Sequence, residues 1–349
     1  MREDLLSMMV DPADRSPMRV LVTERSADGA VLEGTLAGSG GRQYPIRAGI
    51  PRFVGATDQA QEQTKGSFAY KWQRTTSYGS SASIEQGRRW LLERYGFGSS
   101  EEMAGYMASR GRVLDAGCGG GHAASFWLSP GWGGDAWVGI DISDAIDVAR
   151  ERLGSIPATA FVQADVMQLP FADEAFDVVF SEGVLHHTPS TERAFKSLVR
   201  VVRSGGELMV YIYRRKSPVR EFTDDHVRQA IAGLPPEAAW EALRPLTALG
   251  QALAQARVTI ELPEPVDVLG IPAGRHDVQR LIYWHFAKLF WNDALSFEEN
   301  LHVNFDWYHP RYAHRHTEAE LRRWCDEAGL RVTRLDVQDS GFTLRAIRD

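Results

Sequence analysis

The sequence predicts an α/β protein: a mostly parallel sheet covered on both faces, carrying a helical insertion and preceded by a small β-rich module. Three observations point there. From Arg112 to Tyr213, short apolar runs alternate with helical segments, as in a parallel sheet buried on both sides. After Tyr213 the alternation stops, and it resumes at Thr317. Ahead of it lie β-rich pieces joined by Gly, Ser, Asp and Pro turns.

In order, residues 1–56 hold MRVLVTE and AVLEGTLAG and end in YPIRAGIPRFV. Such a module is too short for much core of its own and is expected to lean on the main domain. The polar stretch Gly55–Gln63 reads as a linker, and residues 57–109 as linker and helical lid, with a helix from about Ser83 to Ser109. The core, 110–216, contains the strand candidates RVLDAG, WVGIDI, TAFVQAD, FDVVFSE and GELMVYIY. Helices are expected between them near His122–Leu128, Ser143–Leu153 and Thr191–Val202. Residues 217–310 read as helices, PEAAWEALRPLTALGQALAQA and then DVQRLIYWHFAKLFW, the second with its apolar residues on one stripe. Residues 311–349 return to the sheet: helix TEAELRRWCDEAG, opened by Thr317 and Glu320 at capping-box spacing, then strands LRVTRLDV and FTLRAI. The helical block therefore reads as a cap inserted between the fifth strand and its following helix.

Composition narrows the function. The chain has 349 residues, 44% of them hydrophobic, enough for a full core. A net charge of −7 and the lack of a Lys/Arg run disfavour nucleic acid as a partner. Two distant cysteines, Cys118 and Cys325, exclude a disulfide framework and a cysteine-rich zinc site. The start, MREDLLSMMVDPAD, places acids where a signal peptide needs basic and then apolar residues. No apolar run approaches the ~20 residues that span a bilayer. A soluble, cytoplasmic protein without a membrane partner is expected.

The most informative segment is RVLDAGCGGGHAA: a strand, a glycine-rich turn, then the start of a helix. Gly117, Gly119 and Gly121 let the backbone pass close to a ligand. A dinucleotide fingerprint would need its third glycine at position 122, which is His122. Asp115, just before the first glycine, suits a cationic ligand, such as the amino group or sulfonium of S-adenosylmethionine, better than a pyrophosphate. Asp141 ends the next strand, where a carboxylate can accept from both ribose hydroxyls. Asp165 ends the third and could accept from an adenine amine. Any one of these could be a helix cap; three at consecutive strand ends mark a ligand crevice.

RVLDAGCGGG, VGIDIS, ADVMQLPF, FDVVFSEGVLHH and SGGELMV together resemble the ordered motifs of class I S-adenosylmethionine-dependent methyltransferases, particularly the ubiquinone-biosynthesis type. The resemblance covers about residues 110–213 and, more weakly, 317–349. It implies a Rossmann-like sheet of seven strands, the last antiparallel. It implies that Asp115, Ala116, Gly117, Gly119 and Gly121 hold the methionine end of the cofactor, Asp141 and Ile142 the ribose, and Asp165 and Val166 the adenine. Glu182, leaving the fourth strand, joins this cofactor set, and Tyr70 and Trp72 in SFAYKWQ could close over the sulfonium with their ring faces. The N-terminal YPIRAGIPRFV resembles the end of a zinc-ribbon-like domain that activates methyltransferases, but no cysteine stands where that domain has its pairs. A docking or dimerising role, and so a homodimer, follows from that resemblance.

For the acceptor, a hydroxyl or ammonium must lose a proton, and histidine is the usual agent. SEGVLHHT supplies His187 first and His186 second, as base or orienting group. Tyr211 and Tyr213 leave the fifth strand at the mouth of the site. In FDWYHPRYAHRH, the spacing of the histidines lacks the i, i+4 pair of zinc hydrolases, so no metal is expected. Tyr308, His309, Arg311, Tyr312 and His314 are instead expected to orient an acceptor. The expected activity is methyl transfer to an O or N atom of a small polar metabolite: a sugar, amino acid or natural-product intermediate. The rival readings are a tRNA or protein methyltransferase recruiting through the N-terminal module, and a non-catalytic protein that only binds the cofactor.

Overall fold

The computed structural model describes residues 1–55 and 58–349; the expected boundary between residues 56 and 57, and part of the expected linker, lie outside them. The N-terminal module is a four-stranded antiparallel sheet, β1 (Met18–Arg25), β2 (Val31–Gly38), β3 (Gln43–Arg47) and β4 (Ile50–Pro51). It has no separate core. Leu5, Leu36 and Ile46 are buried in one apolar cluster with Leu114 and Val138 of the main sheet. Just past β4, Phe53 N–H donates to Gln163 O (2.8 Å), so the module also grips the edge of that sheet.

Three helices follow: α1 (Gln59–Gln73), α2 (Ser81–Tyr95) and α3 (Ser100–Arg110). The single helix expected over 83–109 is thus two. Gly96 at φ 80° ends α2 in a left-handed cap, and Ser99 caps α3 by accepting from Glu102 N–H.

The main sheet contains β5 (Arg112–Ala116), β6 (Ala136–Asp141), β7 (Thr159–Gln163), β8 (Phe176–Glu182) and β9 (Val202–Tyr213), all parallel, with α4 (Ala145–Leu153) and α5 (Thr191–Val201) as crossovers. The helix expected at 122–128 is only a short 3-10 turn, Ala124–Phe126. Beyond β9 comes the inserted block: α6 (Pro218–Ile231), α7 (Pro236–Ala242), α8 (Arg244–Ala256), a hairpin of β10 (Thr259–Leu262) and β11 (Gly274–Asp277), α9 (Val278–His285) and α10 (Phe297–Tyr308). The sequence reading missed the hairpin. It also ran α7 and α8 together; Pro245 begins a new helix there because it has no N–H to continue the old one. α9 stops at His285, so Leu289 is buried from a coil rather than from a helical stripe.

The chain closes with α11 (Glu318–Glu327), whose Thr317–Glu320 capping box is present, then β12 (Leu330–Val337) and β13 (Gly341–Arg348). Strand order is β12-β13-β9-β8-β5-β6-β7, with β13 antiparallel to both neighbours. This is the expected seven-stranded, Rossmann-like sheet. On β5, Val113 packs with α2 and α3 on one face, while Leu114 packs with α5 and α11 on the other. Strand order reverses between β5 and β8, and open α/β sheets bind ligands outside the carboxyl ends at such a point. Among the described residues, no helix is long and apolar enough to cross a membrane.

Candidate active site

β5 ends in Asp115 and Ala116, and the glycine turn follows. Gly117 (φ 84°) and Gly119 (φ 53°) hold left-handed conformations. A Cβ on Gly117 would lie 2.4 Å from Val184 side-chain atoms, and one on Gly119 would lie 2.6 Å from Trp72 Nε1. The turn is therefore pressed by the loop after β8 and by α1, and a side chain at either position would push them off.

The acidic strand ends differ in how they are satisfied. Asp141 Oδ2 accepts from Gly119 N–H (2.9 Å), and its Oδ1 accepts from Ser143 N–H (2.8 Å) and Oγ (2.6 Å). That fixes the turn to the second strand. Asp165 Oδ1 accepts from Met167 N–H, and its Oδ2 accepts from Gln61 Nε2 (2.8 Å), tying α1 over the third strand. Asp115 is buried, and its Oδ2 has no partner. Burial, with help from Glu182 and Asp141, pushes its carboxyl well above the ordinary range. A buried acceptor left open at a cavity wall is what a cationic ligand would complete. These residues therefore fit S-adenosylmethionine.

Asp115, Gly117, Asp141, Ile142, Asp165, Val166 and Glu182 line one cavity of about 860 Å³. Phe68, Lys71 and Trp72 of α1 form another wall. The inserted block and the segment before it supply a third, including Lys216, Arg220, Lys288, His302, Asp306 and Trp307. Glu182 is there but engaged: it is ion-paired to Arg94 and accepts from Tyr95 OH (2.8 Å). Ala116, Gly119 and Gly121 shape the turn without lining the cavity.

Of the two histidines, only His187 reaches the cavity. Its Nδ1 lies 2.6 Å from the backbone oxygen of Tyr312, while Nε2 is buried without a partner. A carbonyl oxygen only accepts, so Nδ1 carries the proton and Nε2 keeps a lone pair. Burial lowers the ring's pKa to about 4, opposed by the nearby Asp306 carboxylate. His186 is fully buried behind it, stacked on Tyr213 at 3.6 Å and accepting from Tyr213 N–H at 3.3 Å. It packs; it does not face an acceptor. Tyr211 and Tyr213 do line the cavity.

The stretch after α10 is placed otherwise than expected. Tyr308 OH donates to Asp224 Oδ1 (2.8 Å) inside the cap. His309, 1% exposed, meets Ser67 Oγ (2.8 Å) and Leu234 O (3.1 Å). Arg311 is exposed, and its N–H donates to Gln63 Oε1. Tyr312 OH reaches Asp58 Oδ1 (3.5 Å), and His314 N–H donates to His186 O. None of the five lines the cavity. His309, Arg311, Tyr312 and His314 fasten α1 and the loop after β8 to the segment that leaves the cap, through side-chain and backbone hydrogen bonds. Tyr70 likewise turns away, packing on Trp240 and Phe305.

The sequence reading missed Lys71, Asp306, Arg220 and Lys288. Lys71 Nζ pairs with Asp306 Oδ1 at 2.5 Å across the α1–cap junction. Only Asp306 gave a signal, as a lone acid in an aromatic and histidine-rich run; Lys288 sat inside a pattern that read as ordinary helix, and Lys71 in a stretch whose aromatic residues drew the reading. Among the described residues, no group of three or more His, Cys, Asp or Glu could hold a metal ion.

Residues 114–210 match the family described as a methyltransferase domain. Among curated proteins, the chain is similar to phthiotriol/phenolphthiotriol dimycocerosates methyltransferase 1 of Mycobacterium ulcerans (strain Agy99), 34% identical over 33% of this chain and 42% of that protein. It is also similar to 27-O-demethylrifamycin SV methyltransferase of Amycolatopsis mediterranei (strain S699), 33% identical over 37% of this chain and 46% of that protein. These matches span less than half the length of either relative. Among solved structures, magnesium protoporphyrin IX methyltransferase from Synechocystis PCC 6803 with bound S-adenosylmethionine aligns over 85% of this chain and 100% of that one, at 14% identity and a TM-score of 0.44. Residues 114–210 are a class I S-adenosylmethionine-dependent methyltransferase domain, and S-adenosylmethionine is its cofactor.

Proposed function

We propose that the chain transfers a methyl group from S-adenosylmethionine to an oxygen or nitrogen atom of a small polar metabolite, with His187 accepting the proton that the acceptor gives up. One observation carries this reading: Gly117 of the glycine turn, the acids Asp115, Asp141 and Asp165, and His187, whose Nε2 has no partner, line one capped cavity. S-adenosylmethionine would supply a sulfonium-bound methyl carbon open to in-line attack. Asp115 would take its ammonium group, Asp141 its ribose and Asp165 its adenine. Trp72 and Phe68 close the cavity from α1 and keep water from the reacting atoms. The acceptor's O–H or N–H bond gives its proton to Nε2, whose lone pair is fixed by the hydrogen bond at Nδ1. A volume of about 860 Å³ beneath a cap suits a metabolite such as a sugar, an amino acid or a natural-product intermediate. Two buried free thiols fit a reducing, cytoplasmic setting.

Calorimetry with S-adenosylhomocysteine, followed by a screen of metabolite pools with labelled S-adenosylmethionine, tests the reading. Wild type should bind and Asp141→Ala should not. Equal heats from the two proteins, or their equal absence, would remove it.

A further inference from the structure

Four cations crowd one indole at the cap end of the cavity: Arg228, 5.0 Å from the Trp307 ring centroid, donates to Trp307 O and does not line the cavity, and the other three do. Lys288 Nζ lies 4.6 Å, the Arg220 guanidinium carbon 5.5 Å and Lys216 Nζ 5.9 Å from the Trp307 ring centroid. Lys216, Arg220 and Lys288 all line the cavity, and they come from three places: the loop between β9 and α6, the first turn of α6 and the coil after α9. Trp307 Nε1 points elsewhere, donating to Asp224 Oδ2 at 2.8 Å.

The carboxylates nearby neutralise only part of the group: Asp224 pairs with Arg220, and among the described residues none pairs with Lys216 or Lys288. Asp224 already accepts from Arg220 Nε (2.7 Å), Trp307 Nε1 and Tyr308 OH. Asp306 is held by Lys71. The Asp339 carboxylate is exposed and stands 3.9 Å from Arg214. Among the described residues, Lys216 Nζ hydrogen-bonds only to the backbone oxygens of Asp339 and Ser340, and it lies 5.8 Å from the Trp284 ring centroid. Lys288, 7% exposed, has no hydrogen bond or ion pair at Nζ among the described residues, only the indole face. A cation–π contact returns about 0.5–2 kcal/mol, whereas burying an ammonium costs several. Burial and the neighbouring cations lower both lysines to about 7, which an anion between them would reverse.

We propose that Lys216, Arg220 and Lys288 form an oxyanion subsite around Trp307 that holds a carboxylate or phosphate group of the acceptor. This rests on the methyltransferase reading but is read out separately. The subsite lies two aromatic rings from the base: His187 to Tyr213 is 5.4 Å between centroids, and Tyr213 to Trp307 is 4.7 Å. The acceptor is thereby an anionic metabolite, anchored in the cap with its nucleophilic atom reaching back to His187.

The test is titration of the protein, saturated with S-adenosylhomocysteine, with inorganic phosphate and in parallel with succinate. Saturation keeps either anion from merely replacing the methionine carboxylate. At least one anion should bind and raise the melting temperature, and the tighter one identifies a phosphate ester or a carboxylate as the source. Lys288→Met and Lys216→Met keep the stem and drop the charge. Each should weaken anion binding about tenfold while S-adenosylhomocysteine affinity stays within about twofold. No anion binding by wild type, or variants that bind as wild type does, overturns the subsite. Because no turnover is measured, an inactive protein would sink the methyltransferase reading without touching this result.

Discussion

His187 Nδ1 stands 2.6 Å from the backbone oxygen of Tyr312, and the opposite nitrogen has no partner. One contact thus fixes the tautomer and leaves the lone pair on Nε2. His187→Ala should lower kcat by roughly 10²- to 10⁴-fold, the usual range for a lost general base. Its affinity for S-adenosylhomocysteine should stay near wild type. A variant with unchanged kcat would show that the ring only packs against Phe68, 4.9 Å away.

The same burial sets a pH dependence. His187 is lowered to about 4 and His122 to about 3, and His186 and His302 lie well below the ordinary value. Between pH 6.5 and 4 the unfolded chain therefore binds more protons than the folded one, and stability falls with acidification. Asp115 and Asp141, raised by burial, act in the opposite sense but are outnumbered. Melting temperature should drop between pH 7 and 5, before ordinary carboxylates titrate. A flat profile over that range would mean that these rings are hydrated in solution.

The parallel sheet was legible because its strands are short apolar runs ended by Asp115, Asp141 and Asp165, and the glycine turn was legible because its left-handed backbone leaves little choice of residue. What the local pattern could not show was which side chains cross between segments. His309 looks like a site residue in sequence, yet Ser67, distant along the chain, occupies it. Lys288 looks like one polar position of a helix, yet that helix ends at His285 and leaves the lysine in the cavity wall. Helix ends and cap contacts are set by tertiary packing, which overrides periodicity over a few residues.

Asp115 should show two effects of opposite sign. Its Oδ2 is buried without a partner in the ligand-free protein, so Asp115→Asn relieves a cost while removing the charge that meets a cation. The ligand-free melting temperature should hold or rise. Affinity for S-adenosylhomocysteine should fall roughly 10- to 100-fold, matching the ~1.5–3 kcal/mol of a charged hydrogen bond. Lower stability together with normal affinity would assign Asp115 to the scaffold.

Lys71 and Asp306 hold α1 to the cap through a mostly buried pair at 2.5 Å. Asp306→Ala leaves an ammonium inside without its partner and should cost about 3–5 kcal/mol in chemical denaturation. Adding Lys71→Met should recover much of that loss. If the double variant is no more stable than the single one, the pair is not what the cap depends on.

His309 separates scaffold from acceptor site. Its ring meets Ser67 of α1 and Leu234 O after α6, and it stacks on Phe305 at 4.8 Å. Removing it frees polar groups at a buried junction, a loss of about 1–3 kcal/mol. It also loosens α1, which brings Phe68, Lys71 and Trp72 to the cavity. His309→Ala should therefore lower the melting temperature and weaken S-adenosylhomocysteine binding together. Lys288→Met should do neither, while weakening anion binding. If His309→Ala instead left cofactor affinity intact and raised only the acceptor KM, the ring would belong to the acceptor after all, and α1 would be held by its other contacts, among them Gln61 to Asp165, Gln63 to Arg311 N–H and Lys71 to Asp306.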